Sequence, residues 1–366
     1  MLTIALKFTI IYAFRNREPN RVRLSLLSLK NQTVRNFEVV FIDYGSTSDY
    51  SERVKQVVES FEFATYYYIG HEGLLWNKSK ALNYGISKAK TEAIFIADVD
   101  VIVAPNFAEI IETLTSPNQF SLFKIGYLPE STSPEIIENS NFKALQPKHY
   151  GDTFGVGLFT KTALENVGGL DEFFHFYGSE DEDLNYRLIA SGCKLNRCEL
   201  NLLLHQWHER YPQKLKEHLT TLPRLSNIQR INQRHFLRHK EKQEFELKDL
   251  HNRKYYNISD YETLKKPSKV IEIENIESHV THFLNYELPL FSAKVLKIVF
   301  KESQYSTSSK HKLKKALNKQ TQPYLTMKQV NDFILQKILF SYRNYNYSFR
   351  VAENLKTIEF TIELRQ

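Results

Sequence analysis

The chain has 366 residues, of which 42% are hydrophobic and 25% charged, the balance of a water-soluble globular protein long enough for one large domain and a smaller one. Its 49 basic and 42 acidic residues leave a net charge of +7, mixed rather than polybasic, which argues against nucleic acid as a partner and leaves anionic small molecules or a membrane surface. Cys193 and Cys198 are too few for a disulfide framework or a cysteine zinc site and suit a reducing, cytoplasmic compartment. Residues 1–14 are apolar, but Lys7 interrupts them and no small-residue cleavage site follows, so a signal peptide is not expected. No run reaches about 18 uninterrupted apolar residues, so any membrane contact is expected to be peripheral. The 21 Tyr and 25 Phe suit either a large aromatic core or surfaces on which sugars stack.

In chain order, residues 4–12 cluster β-branched residues and read as a strand, broken by the loop at 15–20. Residues 21–30 carry Val22, Leu26 and Leu29 at helical spacing. Residues 37–43 form a second apolar strand ending in Asp43, and the turn-rich stretch after it predicts a helix beginning near Ser51. The alternation continues through a strand at 65–69 and a helix at 78–90 into an apolar run at 93–103. Such alternation predicts an α/β fold with a doubly wound, mostly parallel sheet covered by helices. Asp43 either accepts hydrogen bonds from a ribose or base, or merely turns the chain with Ser46. There is no G-x-G-x-x-G after the first strand and no G-x-x-x-x-G-K-[ST], which disfavours a Rossmann dinucleotide site and a P-loop.

The run at 93–103 delivers Asp98 and Asp100 to the C-terminal end of a buried strand, where open α/β sheets place their ligands. In an extended chain alternate residues share a face, so both carboxylates can point at one group. Two adjacent carboxylates repel unless a cation joins them, and oxygen ligands suit Mg²⁺ or Mn²⁺. The same pattern also occurs as a turn with solvated acids. A diphosphate bound without a P-loop needs basic side chains, which Lys78 or Lys80 can supply; on a solvated helix face they would do nothing of the kind.

Past a short helix from Pro105 and a strand at 120–127, residues 131–148 read as an irregular loop over a site. A strand at 155–160 leads to a helix at 161–167 stopped by Gly168 and Gly169. The acids Glu180, Asp181, Glu182 and Asp183 follow Gly178 and Ser179. They suit a helix N-terminus electrostatically, with Ser179 as its cap, and a carboxylate at that mouth, beside Tyr177 and His175, can take a proton from a hydroxyl. A strand at 200–204 ends in His205-Gln206-Trp207-His208, structural histidines or ligands.

Taken together, residues 1–210 resemble nucleotide-sugar-dependent glycosyltransferases of the GT-A fold, similar to the large family 2. The motifs occur in order: the first strand and the leucine-rich helix after it, the turn at Asp43-Tyr44-Gly45-Ser46, Asn77 to Asn83, Asp98-Val99-Asp100, Gly168-Gly169-Leu170-Asp171-Glu172, and Gly178-Ser179-Glu180-Asp181. The second half is especially similar to β-1,4-galactosyltransferases and bacterial chondroitin polymerases. The resemblance implies an inverting, metal-dependent transferase with Asp181 as catalytic base and Glu180 beside it. It implies Tyr12, Arg15, Asp43, Asn77, Lys80, Asp98 and Val99 around the nucleotide sugar. It implies Mn²⁺ or Mg²⁺ on Asp100 and His205, with His208 as the alternative ligand, and Tyr127, Tyr177 and Trp207 on the acceptor side. A nucleotide-sugar donor, UDP-linked, and a glycan or glycolipid acceptor are the implied partners, in surface polysaccharide or glycoconjugate synthesis. The aromatic-rich stretch of the galactosyltransferases before the acids is replaced here by Phe176-Tyr177-Gly178-Ser179.

Residues 211–268 turn charge-rich and helical, and the basic stretch 229–240 reads as a solvated helix face, or as an anionic-lipid or acceptor contact. Residues 270–300 and 357–364 alternate like strands around a Lys-rich segment and a helix at 327–340, so residues 269–366 are expected to form a small α+β appendage. Two other function classes fit part of the pattern. A nucleotidyltransferase also uses paired acids around a metal, and a non-catalytic sugar- or partner-binding scaffold keeps such a fold.

Overall fold

Strand and helix alternate from Phe8 onward as the apolar periodicity predicts. The computed structural model describes residues 6–209, 217–247, 253–292, 294–317 and 319–364. The first two residues of the strand expected at 4–12, and parts of the charge-rich stretch (210–216 and 248–252), lie outside them. The chain divides into two units, one of residues 1–69, 76–209 and 229–253, the other of residues 70–75, 210–228 and 254–366.

In the first unit the elements are β1 (Phe8–Phe14), α1 (Pro19–Lys30), β2 (Phe37–Tyr44), α2 (Ser48–Glu59), β3 (Ala64–Ile69), α3 (Lys78–Lys88), β4 (Ala93–Ala97), β5 (Val101–Val103), α4 (Phe107–Leu114), β6 (Gln119–Tyr127), α5 (Pro134–Asn139), β7 (His149–Thr160), α6 (Lys161–Asn166), α7 (Glu180–Ala190), β8 (Lys194–Cys198), β9 (Leu203–His205) and α8 (Ile228–Lys242). The sheet runs β3-β2-β1-β4-β7-β6-β9-β5, with β8 also on β6. β3, β2, β1 and β4 are parallel, and β7 runs antiparallel to both β4 and β6. The chain builds outward from β1 to β3 and then returns to the other side of β1 with β4. That reversal is the topological switch point at which doubly wound sheets open a crevice. Tyr12 of β1 pairs with Ala97 of β4, so residues 98–100 lie at the mouth of the crevice. This is a doubly wound α/β architecture.

The end of β4 is anchored from behind. Phe95 packs edge-on against Phe107 and Phe123 with centroids 4.8 and 5.3 Å apart, and burying each such ring stabilises by about 1.5–3 kcal/mol. α1 holds β5 through its side chains: the Ser25 hydroxyl donates to the Val101 carbonyl at 2.6 Å, and the Ser28 hydroxyl accepts from Val103 N–H at 3.1 Å. α3 lies close on the sheet because Gly85 has no side chain; a methyl there would collide with Ile11.

Several expectations are corrected. The run 93–103 is not one strand: β4 ends at Ala97 and β5 begins at Val101, with Val101 N–H closing a turn on Asp98 O at 3.2 Å. The turn is required because β5 leaves β4 to pair antiparallel with β9. Residues 131–148 are not irregular throughout, since Ser133 caps α5 and Ile137 and Leu145 are buried. The stretch 229–240 is not a purely solvated face, because Asn232 and His239 are buried within the first unit.

In the second unit, α9 (Ile258–Leu264), β10 (Lys269–Glu274), α10 (Glu277–His282), β11 (Val295–Lys301), α11 (Gln304–Thr307), α12 (Ser309–Ala316), α13 (Met327–Lys337), β12 (Tyr347–Val351) and β13 (Thr357–Glu363) surround a sheet in the order β10-β11-β13-β12. The alternation at 270–300 is therefore two strands separated by helix. Residues 70–75 join this unit through Gly70 N–H to Tyr256 O at 2.7 Å and Phe349 N–H to Gly73 O at 2.9 Å. Ile298, Phe300, Ile334, Ile338, Ile358 and Phe360 are completely buried. Among the described residues no helix is long and apolar enough to cross a membrane.

Candidate active site

The two aspartates after β4 diverge. Because residues 98–100 turn instead of extending, Asp98 and Asp100 do not share one ion by strand alternation. Asp98 takes the Lys78 ammonium at 2.9 Å, and that positive neighbour holds its carboxyl below the ordinary range. Burial works against the charge on Lys78, but Asp98, Asp181 and Glu180 outweigh it and raise its pKa. Of the two lysines, Lys78 is the one at the site. Lys80 is buried and lies 3.6 Å from Glu172, because residues two apart on a helix face in nearly opposite directions.

Asp100 lies between two imidazoles, 3.5 Å from His205 Nε2 and 3.6 Å from His208 Nε2. These separations exceed hydrogen-bond length and match the spacing of about 3 to 3.5 Å between ligands that share one ion at about 2.1 Å. The register carries His205 there, since β5 pairs Val101 with His205, and Gln206 N–H donates to Asp100 O at 3.1 Å. Burial pushes the His208 pKa down, which keeps the ring neutral and able to ligate. Asp100, His205 and His208 thus fit a divalent cation as a set, and both histidines reach it. Tyr127 stands beside them, stacked on His149 at 4.9 Å and tilted against His205 at 5.3 Å. Trp207, between the two histidines in sequence, is 41% exposed.

The acids at the start of α7 form one wall of a cavity of about 480 Å³. Tyr177, Glu180 and Asp181 line one side, and Gln229, Arg230 and Gln233 of α8 line another. Glu180 accepts from Gly178 N–H at 2.8 Å. Ser179 occupies the cap position with φ 67° but makes no capping bond; its hydroxyl lies 3.3 Å from Glu182. Burial pushes the Asp181 carboxyl up to about 7, with Lys78 opposing and the negative charges of Glu180, Asp98 and Glu182 adding. The backbone of Gly155 on β7 lies directly against the Asp181 carboxyl, where any side chain would collide with it.

Other expected site residues support this geometry from behind. Tyr12 is 1% exposed and its phenol is spent on Ser25 at 2.8 Å, so its side chain sits in the core below the crevice. Asp43 is fully buried and accepts from Ser46 N–H at 3.0 Å and Tyr66 O–H at 2.8 Å; burial raises its pKa, and Arg15, half-buried beyond β1, counters that. Asn77 caps α3 by accepting from Lys80 N–H at 2.8 Å and donates to Glu172 O at 2.8 Å. Val99 is buried in the turn. His175 is also buried, against the Phe173 carbonyl at 2.8 Å, and does not face the cavity. Sequence reasoning missed Gly155; the α8 residues fall in the basic stretch 229–240, for which an acceptor contact is one of the readings. A glycine inside an apolar strand is a signal of close approach; within the basic stretch nothing local marks Gln229, Arg230 and Gln233.

Residues 9–146 match the family model described as glycosyl transferase family 2, and residues 138–210 match the one described as N-terminal domain of galactosyltransferase. The chain is 26% identical over 225 residues to the chondroitin synthase of Escherichia coli, covering 50% of this chain and 32% of that one. It is 21% identical over 181 residues to the N-acetyl-beta-glucosaminyl-glycoprotein 4-beta-N-acetylgalactosaminyltransferase 1 of Mus musculus, covering 48% and 16%. The chain therefore spans less than a third of the length of these curated relatives. Residues 1–349 of TarS from S. aureus, solved in complex with UDP, superpose with a TM-score of 0.42 at 17% identity, covering 55% of this chain and 61% of that one.

Proposed function

We propose, from the matches of residues 9–146 to the glycosyl transferase family 2 model and of residues 138–210 to the galactosyltransferase model, that the chain moves a hexose or N-acetylhexosamine from a UDP-sugar to a hydroxyl of a glycan or glycolipid, with inversion, in surface polysaccharide or glycoconjugate synthesis. The observation that carries this reading is Asp181. It is a carboxyl on a cavity wall with its pKa pushed up to about 7, and a general base works best when its pKa lies near the operating pH.

Asp181 takes the proton from the acceptor hydroxyl as that oxygen attacks the anomeric carbon, and the bond from that carbon to the nucleoside diphosphate breaks on the opposite face. With Asp181 acting as base and not as nucleophile, the reaction is a single displacement, which inverts configuration. Glu180 holds sugar hydroxyls, and Tyr177 and Trp207 offer rings for stacking. Lys78 keeps Asp98 ionised and sets a positive charge between it and Asp181. Asp100, His205 and His208 would hold a divalent cation, which supplies a Lewis acid for the charge on the leaving diphosphate. Two imidazoles beside one carboxylate favour Mn²⁺ over Mg²⁺. This reading puts the reaction in the cytoplasm, with peripheral contact to a membrane; the free thiols of Cys193 and Cys198 suit it.

The test is release of free UDP from a panel of UDP-sugars, with manganese and then with EDTA, using simple sugars as acceptors. Release from one donor, lost on chelation, is the expected result. Absence of both release and UDP binding across the panel would overturn the reading. A second expectation concerns Gly155→Ala. The added methyl displaces the Asp181 carboxyl, and a shift of about 1 Å lowers turnover by on the order of 10²-fold. Folding should be little affected, because the colliding atoms are the end of a side chain. Wild-type turnover in a folded Gly155→Ala protein would argue against Asp181 as the base.

A further inference from the structure

α8 carries a cluster that the proposed reaction does not use. Asn232, His235 and His239 recur at three- and four-residue spacing and so share one helix face. Asn232 seats that face by donating to the carbonyls of His175 and Tyr177 at 3.1 and 3.2 Å. His235 Nε2 lies 2.7 Å and His239 Nε2 3.6 Å from the same oxygen, Oδ2 of Asp171. His239 Nδ1 is 2.7 Å from Asp183 Oδ1, and Glu244 Oε2 is 3.8 Å from His239 Nε2.

We propose that Asp171, His235 and His239 form a second metal centre, one that takes Zn²⁺. Two imidazoles one helical turn apart with a carboxylate oxygen make a donor set zinc accepts; Glu244, 3.8 Å from His239, is itself paired with Arg238 through both oxygens. Asp183 does for His239 what a second carboxylate does for metal-bound histidines: it fixes the tautomer and turns the other nitrogen, Nε2, toward the ion. The Phe173 ring, stacked on His235 at 3.7 Å, fixes the plane of the second ligand. The side chain of His239 is 3% exposed and that of Asp171 16%, so water is largely excluded. Binding opens the Asp171–His235 contact from 2.7 Å to about 3.3 Å, a small side-chain rotation; the Asp171–His239 contact, at 3.6 Å, is already longer than that. In the absence of a metal a proton takes its place: burial opposes it, but Asp183 and Asp171 hold the His239 pKa above its ordinary value. The centre ties α8 to the turn at Asp171 and, through Asp183, to the helix of Asp181. It is independent of glycosyl transfer.

The experiment uses the full chain with His205→Ala and His208→Ala, which leaves Asp100 without imidazole partners. Loaded with zinc and dialysed, this protein is expected to retain about one zinc per chain and to melt several degrees above its metal-free form. Cobalt(II) in its place is expected to show the visible absorption of a tetrahedral site. Adding His235→Ala should bring the zinc content close to zero and remove the melting shift. No retained zinc, equal melting with and without zinc, and a featureless cobalt spectrum would overturn the proposal and leave a proton-held ion network. The cobalt spectrum needs no substitution within the cluster, so a folding defect in His235→Ala leaves the test intact.

Discussion

Replacing Asp181 by Asn is expected to lower turnover by on the order of 10²- to 10⁴-fold, the usual size of a general-base effect, while the Michaelis constant for the donor changes little. The pH dependence follows from the same carboxyl. With its pKa at about 7, wild-type turnover should climb as pH rises through 7 and level off above it, because the base must be ionised; the residual activity of Asp181→Asn should lack that limb. Stability should move the opposite way. The carboxyl has an ordinary pKa of 3.8 and is raised in the folded chain, so between those values the folded state holds a proton that the unfolded chain has lost. The stability contributed by this group is present below pH 4 and is lost as pH rises to 7. Asp181→Asn should therefore melt above wild type at pH 8, with the difference fading toward pH 4. Thermal scans at the two pH values and steady-state rates check both halves. A loss of donor affinity equal to the loss of rate would remove Asp181 from the role of base.

Asp100→Ala is expected to abolish metal-dependent donor binding. The carboxylate stands 3.5 and 3.6 Å from the two imidazoles, and without it two histidines on one short strand end remain. His205→Ala and His208→Ala should each raise the manganese concentration needed for half-maximal rate, because both rings reach Asp100. Titrating manganese against UDP binding by calorimetry distinguishes the cases. Unchanged manganese dependence in Asp100→Ala would refute the assignment, and a silent His208→Ala would restrict the set to Asp100 and His205.

Much of the first unit was legible because its signals are local. An apolar run of five residues followed by acids, as at Ala93–Ala97, is a buried strand delivering charge to a sheet edge whatever surrounds it. The alternation through β1, α1, β2, α2 and β3 comes from periodicity alone, and Gly178-Ser179 ahead of four acids marks a helix start. These determined a doubly wound sheet, the position of the crevice at the end of β4, and the residue types available there. The order of motifs carried the resemblance to family 2 glycosyltransferases.

Only the tertiary structure decided which of these residues meet. Whether residues 98–100 extend or turn depends on β9, over a hundred residues later, pairing with β5; that pairing separates Asp98 from Asp100 and brings both histidines to the second. Lys78 and Lys80 are equivalent by composition, and the docking of α3 over β1, which Gly85 permits, chose the first. The basic stretch after residue 228 reads as solvated surface in one dimension, yet Asn232, His235 and His239 turn inward because the packing of α8 gives its histidines two carboxylates, the half-buried Asp171 and the buried Asp183. Periodicity is written in neighbours along the chain. Pairing of charges, ligands and close approaches is written in contacts between distant segments, where no single stretch holds both partners.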